Sequence, residues 1–139
     1  MRDYRNWPLH RQFLPHAQAC LALIDQWKFE FSEAGRLSNQ VGYYLDDHAR
    51  YTEAEGCYLR AIAIGEKALG PEHPNLAIRL NNLANLYSEQ GKYEEAESLF
   101  KRAITIDEKA LGPEHPNSVM DRGNYAALLR RRNEERGGL

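Results

Sequence analysis

The sequence predicts an all-α protein in which antiparallel helical hairpins stack as an α-solenoid. Three observations carry that prediction. The chain repeats with a period of 42 residues, and residues 34–75 share 19 identities with residues 76–117; a period of this size marks stacked supersecondary units. Within each copy the apolar residues recur at i, i+3, i+4 and i+7, the spacing of one helix face. Finally, the string EKALGPEHPN occurs at 66–75 and again, unchanged, at 108–117.

The elements follow in chain order. Residues 5–33 read as a degenerate amino-terminal helical unit. Its apolar run spans residues 13–24, Pro15 is tolerated near a first turn, and Trp7 and Trp27 are expected to bury against it. Residues 34–75 form repeat 1 and residues 76–117 repeat 2. In repeat 2, residues 76–90 are a helix with an apolar stripe of Leu80, Leu83, Ala84 and Tyr87. Gly91 ends it, since a residue without a Cβ takes the left-handed conformation that follows a helix. A second helix carries Ala96, Leu99, Phe100, Ala103, Ile104, Ala110 and Leu111 on its apolar face, with Glu94, Glu95, Glu97, Lys101 and Lys109 toward water. Glu97 and Lys101 make a favourable i, i+4 pair, and the small Ala84 and Ala96 let the two helices approach closely. Residues 118–139 supply the first helix of a partial repeat 3, which caps the array with a highly charged end and has Arg122 where repeat 2 has Leu80.

The repeated string is the junction between units. An acid beside a histidine could suggest a base or a metal ligand, but each residue has a geometric role. Gly70 follows the end of one helix, Pro71 blocks its continuation, His73 stands at the N-cap of the next, and Pro74 is preorganised for a first turn. His73 and His115 lie one repeat apart, and stacked helices are spaced by about 10 Å, too far to share an ion. Neither a metal nor a cofactor is expected. Phosphate-binding, serine-nucleophile and zinc-protease motifs are missing, and adjacent acids such as Asp46-Asp47 read as solvated, so no enzymatic activity is expected.

The pattern Leu80-x2-Leu83-Ala84-x2-Tyr87, then Ala96-x3-Phe100 and a closing proline, resembles the tetratricopeptide signature, with Leu80 and Ala84 in place of its usual Trp and Gly. The longer repeat, with NNLANLY, GKYEEAE and the junction string, is similar to the kinesin light chain type, also frequent in bacterial signalling proteins. The block from Arg5 to Trp27 resembles the segment that leads into the repeats of bacterial ATPase regulators of the NB-ARC type, though none of their ATPase motifs is present. The resemblance implies a right-handed superhelix acting as an interaction module, whose first helices line a concave groove for a peptide or partner protein.

Candidate groove residues lie on a polar face of the first helices, well rotated from the apolar stripe. In repeat 2 they are Ile78, Asn81, Asn85 and Ser88; in repeat 1 the matching positions are Arg36, Asn39, Tyr43 and Asp46; in the third unit they are Met120, Gly123, Ala127 and Arg130. Asparagine amides both donate and accept, so they can hold a peptide backbone, while Tyr43, Asp46 and Arg130 would select side chains. Carry-over from the family is strongest for Asn81 and Asn85.

Composition sets the remaining limits. With 18 Lys and Arg against 20 Asp and Glu, the net charge of −2 gives no overall basic field for nucleic acid or an anionic membrane. No apolar run approaches the ~20 residues of a bilayer span, and the start of the chain lacks an apolar signal core, so a cytoplasmic setting is expected. Cys20 and Cys57 read as small buried hydrophobes. An alternative reading makes the chain a sensor or scaffold segment of a larger regulator, self-associating through the unpaired terminal helix.

Overall fold

The computed structural model describes residues 32–137. This span forms five helices: α1 (Ser32–Asp47), α2 (Tyr51–Ala68), α3 (Pro74–Glu89), α4 (Tyr93–Leu111) and α5 (Pro116–Gly137). The expected unit 5–33, including Trp7, Pro15, Cys20 and Trp27, lies outside the described residues except for its last two positions, which open α1.

Each helix packs mainly on its sequence neighbours, and α1, α3 and α5 also touch in series. The first helices therefore form one layer and α2 and α4 the other, the arrangement of an all-α solenoid. The main core joins Val41, Leu45, Tyr58, Leu76, Leu80, Leu83, Leu86 and Ile106, all buried. A second cluster, made by Ala84, Ala96, Phe100 and Leu128, ties α5 to the hairpin of α3 and α4.

The close approaches depend on small residues. A Cβ added at Gly42 would meet the Tyr58 ring at 2.8 Å, so the ring of α2 lies directly on the backbone of α1. In the next hairpin Ala84 takes that position and Phe100 replaces the tyrosine; both are buried. Cys57 is buried, and burial raises its thiol pKa, which disfavours a reactive thiolate.

The junction string builds the same start twice. His73 Nδ1 accepts from Asn75 N at 3.1 Å, and His115 Nδ1 accepts from Asn117 N at 3.1 Å. Each imidazole satisfies an amide that the first turn leaves without an intrahelical partner, and Pro74 occupies the first turn of α3. Gly70 and Gly112 take φ of 94° and 95° before these starts.

Two details of the expected stripes change. Ala110 is exposed, as is its counterpart Ala68, because both lie in a last turn where the packed face gives out. Ile106 and Asp107 are buried instead. The terminal helix runs on through its charged residues, and Arg122 reaches sideways to Glu108 at 2.6 Å and to the Pro113 carbonyl at 2.8 Å.

Candidate partner-binding groove

The layer of first helices encloses a groove of about 630 Å³ with walls from α1, α3 and α5. Five of the expected residues line it: Tyr43, Asp46, Asn85, Ser88 and Ala127. Tyr43 is 62% exposed, and Asn85 is also exposed, so both can meet a partner without rearrangement.

The other expected residues are placed differently. Asn81 is buried, not on the groove surface, and its amide donates to the Asp121 carboxylate on α5. Asn39 is half-buried, and its Oδ1 accepts from Asn82 Nδ2 at 3.1 Å. The two expected asparagines therefore bind neighbouring helices of the array. Ile78 is 44% exposed but is not among the lining residues, and neither is exposed Arg130; Arg131 lines the groove in its place.

These differences have one geometric cause. The wall follows the register Asn82, Asn85, Glu89 on α3 and its 42-residue equivalents Asn124, Ala127, Arg131 on α5. That stripe shares Asn85 with the expected register, and its centre is turned by about half a residue step, roughly 50°, away from Asn81 and Arg130. Tyr43 and Asp47 continue it on α1. The signal was present in the period itself, since Asn82 and Asn124 are identical and in register.

The groove is electrically two-ended. Asp46 and Glu89 share a hydrogen bond at one end, and the Asp46 carboxyl is pushed up to about 6 by burial first, then by the charge and hydrogen bond of Glu89 and the charge of Asp47. At the other end Arg131 Nη1 donates to the Ser88 hydroxyl at 3.2 Å and to its carbonyl at 3.3 Å.

Behind the groove, Asn81, Asp107 and Asp121 form a buried polar cluster between α3, α4 and α5. The Asp121 carboxyl is raised to about 7, chiefly by burial and then by its hydrogen bond with Asp107, against the lowering effects of Asn81 and Arg122. No group of three or more metal-ligating side chains occurs among the described residues. Nor is any helix among them long and apolar enough to cross a membrane.

A family model described as tetratricopeptide repeat matches residues 33–109 and 90–136. A comparison with curated proteins gives no match. Among solved structures, BtubC (BKLC) from P. vanneervenii is similar with a TM-score of 0.79 at 18% identity, over 94% of this chain and 53% of that one. The nearly identical TPR-like repeats of a protein described as a kinesin light chain from Podosopora anserina give a TM-score of 0.69 at 22% identity, over 91% of this chain and 65% of that one. A substituted form of the same repeats gives 0.76 at 20% identity, over 91% of this chain and 60% of that one. The chain thus spans between about half and two thirds of the length of these structures, and at such identities the likeness concerns the fold.

Proposed function

From the premise that the chain belongs to the tetratricopeptide repeat family, we propose that it is a non-enzymatic interaction module of the cytoplasm that receives a peptide segment of a partner protein in the groove between α1, α3 and α5. The carrying observation is the groove itself, about 630 Å³ with Tyr43 and Asn85 presented on its wall. An exposed tyrosine offers a rigid amphipathic contact, and an exposed asparagine can both donate to and accept from an extended backbone. In the same reading residues 34–75 and 76–117 are the repeat units and α5 is the first helix of a third.

Affinity capture with the full chain tests this reading. The double substitution Tyr43→Ala and Asn85→Ala should reduce partner recovery at least tenfold while leaving the helical circular dichroism unchanged. Unchanged recovery would remove the groove from the reading. Asn81→Ala is a poor probe, because it also breaks the contact with Asp121.

A second reading, a scaffold segment that pairs with a copy of itself or with another domain of a larger regulator, is favoured by Val119 and Met120, which stand 50% and 51% exposed near the start of α5. Adjacent exposed apolar side chains of this size suit an interface. Light scattering across a wide concentration range discriminates: a constant monomer mass rules out pairing between copies.

A further inference from the structure

Tyr58 has no exposed surface, yet its hydroxyl has no hydrogen-bond partner. Buried hydroxyls are normally paired, since an unsatisfied one loses its bonds to water without replacing them. The ring is fixed in direction by Gly42, whose backbone it overlies. The groups whose charges bear on the phenol are Asp46, Tyr43, Glu89 and Cys57; the first three line the groove, while Tyr58 itself lies behind it. Three acidic side chains line that end, Asp46 and Asp47 from α1 and Glu89 from α3, while Arg131 is the sole cation among the described lining residues and is bound to Ser88. Asp46 and Glu89 can share a hydrogen bond only while one of them keeps a proton.

We infer that this end of the groove is a subsite for a lysine or arginine side chain of the peptide partner, held between the Asp46 and Glu89 carboxylates. The inference rests on the groove reading above and adds to it the chemistry of the occupant. A cation in this place replaces the shared proton as the charge that lets two carboxylates lie together. A guanidinium has five donors in a fixed fork and matches two carboxylates; an ammonium offers three donors in the same space. The Tyr58 hydroxyl has no exposed surface and does not line the groove, so it stays behind this subsite and makes no contact with the occupant. Asp47, Tyr43, Tyr51 and Arg131 are the other charged and titratable groups that line the groove among the described residues, and their excess together with Asp46 and Glu89 is negative.

The site also makes binding depend on pH with a definite sign. A cationic side chain needs both carboxylates ionised, so its affinity rises as pH rises through about 6, where the Asp46 carboxyl titrates.

The probe is a displayed library of random twelve-residue peptides, selected on the full chain at pH 7.5. Peptides that bind should carry Lys or Arg at one fixed position, and a histidine-free synthetic copy should bind about tenfold more tightly at pH 7.5 than at pH 5. The chain with Asp46→Asn and Glu89→Gln keeps the shape and hydrogen-bonding capacity of both side chains; selection on it should still yield peptides, but without the fixed basic position. Peptides from the wild-type chain that lack a fixed basic residue, or that enrich Asp or Glu there, would overturn the subsite and leave the groove reading standing. If no peptide is retained, both fall. Equal enrichment of the basic position by the double variant would place the recognition elsewhere and overturn the subsite.

Discussion

The two junctions of the array share a ten-residue string and a helix geometry, but the side chains that meet across them are opposite in kind. Between α2 and α3, Arg79 is 4% exposed and its Nη1 donates to the Ala61 carbonyl at 2.8 Å. Space for the guanidinium comes from two glycines: a Cβ would stand 2.5 Å from Nη1 if added at Gly35 and 2.6 Å if added at Gly65. One period later Gly65 becomes Asp107 and Arg79 becomes Asp121. There a pair of buried acids, with Asn81 beside them, fills the place held by one arginine. Backbone register can thus be constant while the interface changes from a lone cation among apolar neighbours to two carboxyl groups sharing a proton. The string preserves the stacking geometry, and the positions just outside it decide the chemistry and the energy of each junction.

Removing the arginine should break the comparison most strongly. Arg79→Ala leaves a cavity bounded by Gly35, Gly65 and Leu76, and a loss of about 3 kcal/mol is expected from urea unfolding, in the range of large-to-small core substitutions. A loss below about 1 kcal/mol would show that the side chain is held without packing.

At the other junction the expected change is of opposite sign. The Asp121 carboxyl titrates near 7 in the folded chain against an ordinary value of 3.8, so the folded state holds the proton more firmly than the unfolded state. Stability therefore falls as pH rises from about 4 to 7 and stays low above that. Asp121→Asn removes this dependence and should raise stability by about 2 kcal/mol at pH 8, with little gain at pH 4. Thermal melts at the two pH values check it, and an equal shift at both would mean that ionisation is not the source.

The turns within the hairpins offer a finer contrast. Gly91 has φ of 78°, and its equivalent Ala49 has φ of 59°. Both turns close with matching bonds: Arg50 N to the Leu45 carbonyl and Lys92 N to the Tyr87 carbonyl, each at 2.8 Å. This is the Schellman arrangement, which favours glycine at the left-handed position. Ala49→Gly should therefore stabilise the chain by up to about 1 kcal/mol, and Gly91→Ala should destabilise it by a similar amount; urea unfolding of the two variants checks both signs.

The smallest effects belong to the caps. His73→Ala and His115→Ala should each cost about 0.5–1 kcal/mol, and nearly the same amount, because the two side chains accept the same bond in the same frame. Unfolding costs differing by more than about 1 kcal/mol would show that the junctions are not equivalent even where their sequences agree.

Much of this architecture is readable from spacing. Helix starts at the His-Pro pairs, glycine stops and the stripes through Leu80, Leu83 and Ala84 are local consequences of residue type, and the kinesin light chain-like tetratricopeptide character follows from them. The groove is only half readable. Tyr43, Asp46, Asn85 and Ser88 fall on it, because any polar face opposite the core stripe is close to right. Asn81 does not, because its place depends on Asp121, forty residues away and on another helix. A sequence period tells which positions correspond; a turn of about half a residue step in helix orientation decides which of them meets a neighbouring helix and which meets solvent.

The junction also has a meaning for chain extension. A further copy of residues 76–117 placed after Asn117 would join through an unaltered EKALGPEHPN, so tandem growth would keep the stacking frame. Its Arg79 would then face Asp107 of the preceding copy where it now faces Gly65. The glycine space would be gone, but a carboxylate would stand opposite the guanidinium, and the pair of acids would be replaced by an ion pair. The register that places two carboxyl groups together at the end of this chain would thus give a neutral, cross-linked seam inside a longer one. Arrays assembled from this unit would carry their electrostatic strain at the terminal helix.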